Sequence, residues 1–356
     1  MDILTFSGTH EAIGEAFGET CRDDIRRFYE IRLQNAIAQA LDWGGRAVSE
    51  AELLTASRRS EALTRDYHPA GWAEICGIAR GANMSPEQIL ALNGLTDFRD
   101  VLSWHGDFEA FGGCSSFIVQ GDVSKDGGVL VGQTWDLATD NMPFVVGVHR
   151  TPTDGPQTWT LTTVGCLSLI GMNEHGVSVG TTNVRTPDAR PGVMYLSIIH
   201  KALHQRGLAD ATRAIVDAPR AGAHFYWVAD GEGQASAIEC TATTVQQDAI
   251  SQGVYVHCNH CLVDAHIARE PRPPSASSAY RTTRLQGLLE DGAGAHDLDS
   301  VKAALADEEG GDNAICRDDT NGISTNGAVV IAPERREIHA CHGLPSRASW
   351  RVLQCG

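Results

Sequence analysis

The chain has 356 residues, 42% of them hydrophobic, and its 28 Lys and Arg against 45 Asp and Glu give a net charge of −17. That length and composition can bury a large core and exclude disorder, while the acidity excludes a nucleic-acid binder, which needs clustered basic residues. No apolar run approaches the ~20 residues needed to cross a bilayer, and Met1 to Phe6 lacks a basic region ahead of an apolar one, so the expectation is a cytoplasmic protein with no membrane partner.

The first third is helical in pattern. Ile13, Phe17, Cys21, Ile25 and Phe28 recur at three- and four-residue steps with Arg22, Asp23, Asp24 and Arg27 between them, which predicts one long amphipathic helix. Segments 50–66, 70–82 and 86–93 also read as helices, the last opened by a cap-type Ser85 and Pro86. The texture changes at Gly112-Gly113. From there β-branched runs and glycine turns predict strands at 116–120, 129–135, 144–149, 158–163 and 177–182. Turns at Lys125 to Gly128 and Asn173 to Gly176 are short enough to join antiparallel neighbours.

Helices near 193–205 and 208–217 follow, then strands near 223–229, 234–240 and 254–258. Glu270 to Ser278 reads as an exposed loop, ahead of helices near 279–291 and 297–306 and closing strands near 323–332 and 335–341. Strand blocks alternating with helix blocks, joined by hairpins rather than crossovers, indicate an α+β chain with sheets between helical layers.

Ten cysteines are too few and too unevenly spaced for a disulfide scaffold, so most are expected to be free thiols, with Cys21, Cys76, Cys166 and Cys240 as small buried hydrophobes. His257-Cys258-Asn259-His260-Cys261 invites a metal reading, with His339 to His342 as the second ligand pair. That is the alternative function: a non-enzymatic metal-binding or redox protein.

The segment richest in chemistry is Phe111-Gly-Gly-Cys114-Ser-Ser-Phe-Ile118. Glycine reaches backbone angles closed to other residues, so the peptide bond after Gly113 can be held strained beside the Cys114 thiol. Attack on the Gly113 carbonyl would move the acyl group from nitrogen to sulfur, and hydrolysis would leave Cys114 as a chain start. Its α-amine, with a pKa near ~7.7–8.0, could then accept the thiol proton, making nucleophile and base one residue. The spacing alone leaves a buried structural cysteine as the other reading.

Cys114-Ser-Ser-Phe followed by Gly132-Gln-Thr-Trp-Asp136 resembles the start of the β subunit in the isopenicillin N acyltransferase family of N-terminal nucleophile (Ntn) hydrolases, relatives of choloylglycine hydrolase. Glu74 to Ala82 and Ile89 to Asn93 resemble that family's helical α segment, and Gly171 to Gly176, Thr181-Thr-Asn183, His257 to His260 and Ile315-Cys-Arg317 follow in its order. The resemblance implies a four-layer αββα sandwich, self-cleavage between Gly113 and Cys114, and two segments, 1–113 (helical) and 114–356, that stay associated as a heterodimer in one structural domain.

By position, Asp136 matches the carboxylate that orients the new amine, Asn259 the oxyanion donor, Asn183 a second asparagine near the nucleophile, and Arg317 an arginine that contacts the cluster. Ser116 matches a hydroxyl residue that assists cleavage. Turn, strand and surface roles are the alternatives for these residues. Gln133 stands where the choloylglycine branch has arginine, which argues against bile-salt recognition, and a Cys114–His260 dyad is the weaker scheme.

The expected activity is hydrolysis or transfer of the acyl group of a small amide through an acyl-thioester on Cys114, in an enzyme made as a zymogen. It needs no cofactor and no metal. The acidic surface favours a substrate with a cationic amine part. An inactive, unprocessed relative is the remaining alternative.

Overall fold

In the computed structural model, which describes residues 3–103, 113–270, 273–292 and 294–355, the chain opens with an unexpected strand, β1 (Ile3–Gly8). Six helices follow: α1 (His10–Thr20), α2 (Arg22–Gly44), α3 (Glu50–Tyr67), α4 (Pro69–Ala82), α5 (Pro86–Leu92) and α6 (Leu95–Ser103). The long helix expected through 13–28 is broken at Cys21, where φ −111° and ψ 21° leave the helical range. Ser85 caps α5 as its sequence predicts, accepting from the Gln88 N–H.

The break lets α1 lie along α4 at unusually short range. Gly14 and Gly18 on α1 face Gly77 and Gly81 on α4. A Cβ on Gly77 would sit 2.2 Å from the Glu11 carbonyl oxygen, and one on Gly14 2.1 Å from that of Glu74. These glycines therefore set the helix spacing. Gly77→Ala is expected to cost about 1–3 kcal/mol as an overpacking change, read as a lower denaturant midpoint with unchanged slope.

After Cys114 come β2 (Ser116–Gln120), β3 (Leu130–Ala138), β4 (Val145–Pro152), β5 (Thr158–Thr163), β6 (Ile170–Asn173) and β7 (Ser178–Asn183), then α7 (Tyr195–Leu203) and α8 (Leu208–Val216). Four strands follow, β8 (His224–Ala229), β9 (Ala235–Cys240), β10 (Val245–Ile250) and β11 (Gly253–His257), then α9 (Asp264–Ile267), α10 (Ala276–Asp291) and α11 (Leu298–Leu305). The chain closes on β12 (Ile323–Ala332), β13 (Glu337–His342) and β14 (Arg351–Gln354).

The strands form two sheets, one of eight in the order β1-β4-β5-β6-β7-β8-β9-β10 and one of six in the order β11-β2-β3-β12-β13-β14. Every pairing is antiparallel except β1 on β4.

Two-residue periodicity sorts the side chains into layers. In β2, Ile118 faces the larger sheet with Val131, Leu161, Phe225 and Trp227, while Phe117 and Val119 point outward to Leu285, Leu289 and Val301 of α10 and α11. On the far side, Val179, Tyr226 and Ile238 pack under Ile198, Ile199 and Ile215 of α7 and α8. The order is helix, sheet, sheet, helix, as expected. Ile13, Phe17, Ile25, Phe28 and Ile75 of the first third continue the inner cluster, so residues before and after 113 share one core. Gln133 ties the sheets together: its amide oxygen accepts from Thr181 N at 2.7 Å and Trp227 Nε1 at 2.9 Å.

The loop reading of 270–278 needs correction. Ser275 caps α10, accepting from Ser278 N, and Ser277 and Ser278 are buried in its first turn. Pro271 and Arg272 lie outside the described residues, as do Phe111 and Gly112. No described helix is long and apolar enough to cross a membrane.

Candidate active site

Cys114 lies just ahead of β2, between the sheets, with its Sγ 4.0 Å from the Asp136 carbonyl oxygen on β3. Burial, reinforced by the Asp136 charge, pushes its thiol up to about 12, with Arg281 pulling the other way. In the uncut chain the thiol is therefore protonated at neutral pH. Because a raised thiol pKa yields thiolate only as pH climbs through it, alkylation of Cys114 in an uncut chain should stay slow until strongly alkaline pH, measured as iodoacetamide incorporation against pH.

Gly113 has φ +147°, in the region that favours glycine, and a Cβ there would sit 2.0 Å from Asn259 Oδ1. Two independent constraints thus demand glycine on the acyl side of the bond expected to be cut. Asn259 follows β11, where its Nδ2 donates to the Asn183 carbonyl at 2.9 Å. Asn183 itself ends β7 and reaches Ala223 O with a long 3.4 Å bond.

Asp136 is wholly enclosed. Its Oδ2 accepts from Arg317 Nη2 at 2.8 Å and its Oδ1 from Thr325 Oγ1 at 2.8 Å. Thr325 is placed by a register shift in β12 between Thr325 and Gly327. Arg317 therefore holds Asp136, as expected, whereas the guanidinium that bears on the thiol is another one.

That guanidinium is Arg281 on α10, which the sequence reading missed. Its Nη1 donates to Cys114 O at 2.6 Å and to Ser115 Oγ at 3.0 Å, and its Nη2 to Asn259 Oδ1 at 3.0 Å. Ser277 Oγ accepts from both Arg281 and Arg317. In the sequence Arg281 resembles Arg284, which forms an ion pair with Asp307; only the buried, three-residue neighbourhood sets it apart.

Cys114, Asp136, Asn183 and Asn259 line one cleft, with about 910 Å³ of empty space when open solvent is included. Ser116 is placed elsewhere: its hydroxyl donates to His257 O at 2.9 Å, across the β2–β11 pairing. His260 does not form a dyad. Its Nδ1 is committed to Ser278 Oγ at 2.7 Å, and burial holds it down to about 4.

The alternative metal set also fails to assemble. Among the described residues, no three of Cys258, Cys261, Cys341 and the adjacent histidines come within reach of one ion. His257 instead bonds Glu239 at 3.0 Å, which bonds His266 at 2.8 Å. All ten cysteines are free thiols, with Cys76 only partly buried.

The described lining of the cleft bears on the expected cationic substrate. Its charged lining is Arg32, Arg99 and Arg185 beside Asp136, which Arg317 already neutralises. Arg99 and Arg185 share Asp100. Arg32 is 8% exposed and donates only a 3.3 Å bond to Thr96 Oγ1, with no carboxylate at ion-pair distance among the described residues. The net charge of −17 belongs to the whole chain, whereas among the described residues the lining of the cleft holds three arginines and one aspartate.

The model of the acyl-coenzyme A:6-aminopenicillanic acid acyl-transferase family matches residues 123–347, more than half of the chain, beginning after Cys114 and including Asp136, Asn183, Asn259, Arg281 and Arg317. Over 320 residues, 88% of this chain and 84% of the relative, the sequence is 26% identical to the 40 kDa form of acyl-coenzyme A:6-aminopenicillanic-acid-acyltransferase from Emericella nidulans. Among solved structures, penicillin V acylase from Agrobacterium tumefaciens matches with a TM-score of 0.45 at 14% identity, covering 67% of this chain and 85% of that one. A conjugated bile acid hydrolase from Clostridium perfringens matches with a TM-score of 0.46 at 10% identity, covering 68% and 97%. The chain belongs to the acyl-coenzyme A:6-aminopenicillanic acid acyl-transferase family.

Proposed function

We propose that the chain is made as a precursor that cuts itself between Gly113 and Cys114, and that the new amino-terminal cysteine hydrolyses or transfers the acyl group of a small amide. The observation that carries this reading is the seating of Gly113: a glycine-only backbone angle, pressed on Asn259, immediately before a buried thiol that faces a pinned Asp136. The family's name and that of the Emericella relative support acyl transfer as the reaction class.

In the cut, Sγ adds to the Gly113 carbonyl and the C–N bond breaks. The thiol proton ends on the nitrogen that becomes the Cys114 amine, and water then hydrolyses the thioester to leave Gly113 as a carboxylate. The product is a base. An α-amine of pKa ~7.7–8.0 accepts the thiol proton near neutrality, where the thiol of the uncut chain, at about 12, does not ionise. With substrate, Sγ adds to the amide carbonyl, Asn259 Nδ2 donates to the oxyanion, and the Cys114 ammonium protonates the departing amine. Asp136, held by Arg317 and Thr325, orients that ammonium. Water or a second amine then takes the acyl group.

Arg32 gives the substrate its sign. A buried guanidinium without a carboxylate suits an anionic group on the acyl or amine part. Arg32→Gln is expected to raise KM for an anionic amide about 10- to 100-fold, the worth of one charged hydrogen bond, with little change in kcat, and to leave a neutral analogue unaffected. Intact mass tests the maturation step: wild type should give two pieces, 1–113 and 114–356, and Cys114→Ala one continuous chain. Two pieces from Cys114→Ala would exclude the mechanism.

A further inference from the structure

Away from the cleft, three histidines from distant parts of the chain meet. His10 opens α1, while His200 lies in the last turn of α7 and His204 caps its C-terminus four residues on. One donor atom from each lies within 4.8 Å of the other two, and the ring centroids of His200 and His204 are 4.5 Å apart. Each ring is anchored by one nitrogen: His10 Nε2 on Asp154 O at 3.0 Å, His204 Nδ1 on His200 O at 2.6 Å, and His200 Nδ1 on Ser168 Oγ at 2.8 Å. Anchoring one nitrogen in this way is how proteins orient imidazoles that ligate metals with the other.

The chemistry of the anchors fixes what remains. A carbonyl oxygen only accepts, so His10 Nε2 and His204 Nδ1 carry the hydrogens, and a neutral imidazole has no second one. His10 Nδ1 and His204 Nε2 are therefore bare lone pairs.

Orphaned atoms gather at the same place. His200 Nε2, wholly buried, faces Glu74 Oε2 at 3.4 Å, and neither atom has another partner among the described residues. The other Glu74 oxygen is taken by Arg150 at 2.7 Å, which keeps the carboxylate ionised. His68 Nε2 is an orphan, on a ring 5.3 Å from those of His200 and His204. Buried polar atoms are almost always satisfied, so the long His200–Glu74 contact and the His68 orphan beside a set of lone pairs fit a missing electrophile.

We propose that His10, His200 and His204 bind one divalent transition-metal ion of the zinc class, with Glu74 beside His200. Zinc–nitrogen bonds of about 2.0–2.1 Å put tetrahedral ligands about 3.4 Å apart. The three donor atoms, now within 4.8 Å of one another, reach that spacing by side-chain rotation, and water takes the fourth position. Three imidazoles suit zinc, cobalt or nickel rather than magnesium or calcium. His10 precedes residue 113 and His200 and His204 follow it, so the ion cross-links the two segments whether or not the chain is cut. The site therefore stands independently of the maturation chemistry.

The test uses the untagged full chain, stripped with chelator and then titrated with Zn²⁺ alone and with Co²⁺ alone. The expected result is one equivalent bound, a rise in Tm of about 5 °C at a hundredfold excess over Kd, and the visible d–d bands of four-coordinate cobalt. His10→Gln and His204→Gln should each remove the bands and the Tm rise while leaving self-cutting and turnover unchanged. Absence of cobalt bands in the wild type, or the same Tm rise in the His10→Gln/His204→Gln double variant, overturns the proposal. The cobalt spectrum is read on the unaltered protein, so a variant that fails to fold does not blur the outcome.

Discussion

Asn259→Ala is expected to lower kcat/KM by about 10² to 10³ and to leave most newly made chain uncut. Asn259 offers the one side-chain amide that touches both halves of the chemistry: its Oδ1 crowds Gly113, and its Nδ2 now donates to Asn183 O. An amide donor stabilises a developing oxyanion without titrating, so its loss should appear in kcat more than in KM. Asn183→Ala provides the contrast. Asn183 supports Asn259 through its backbone carbonyl, which alanine keeps, and its own side chain makes only the long bond to Ala223. Its effect should be several-fold at most. Single-turnover rates and the fraction of cut chain measure both.

Arg281→Met should be the most damaging change outside Cys114. One buried guanidinium holds Cys114 O, Ser115 Oγ and Asn259 Oδ1, and it supplies the charge that opposes the thiol's high pKa. Removing one member of a buried charged network typically costs about 3–5 kcal/mol, so Tm should fall and cutting should stop. Arg281→Lys separates charge from geometry: it keeps the cation near the thiol but loses the fork that grips three acceptors at once. Cutting at least tenfold slower than wild type, with Tm largely restored, is the expected outcome for Arg281→Lys. Wild-type cutting by either variant would show that Arg281 is only packing.

Arg281 also marks where reading the sequence stops. The strands that hold or flank Cys114, Asp136 and Asn259 were legible from β-branched periodicity, whereas the site roles of Asp136, Asn259 and Arg317 were suggested only by the family resemblance, Arg317 lying in the loop ahead of β12. Arg281 acquires its role only when the first turn of α10 folds under β2, and that turn, with Ser277 and Ser278, looks like a serine-rich loop in one dimension. Ser116 was misjudged for the opposite reason: its place two residues after the nucleophile suggested chemistry, but its hydroxyl is consumed by a cross-strand bond to His257.

Four strands were missed, the short buried β6 among them, and the other three are sheet edges. β10 and β14 are sheet edges with mostly exposed side chains, and edge positions carry little of the apolar alternation that signals a strand. β1 pairs in parallel with β4, more than a hundred residues away, so nothing nearby announces it. Net charge averages over the whole chain, so it gives no sign for the cleft, which Arg32 lines.

The account stands on a cysteine that has become a chain end. Its most direct test is to acylate the working enzyme with a slow amide substrate, quench, and determine which polypeptide carries the acyl group and what its first residue is. The expected result is one acyl group on a fragment beginning with Cys114, with turnover rising in proportion to the fraction of chain that has been cut. Full turnover by a continuous 356-residue chain, or an acyl group on any other residue, would contradict it.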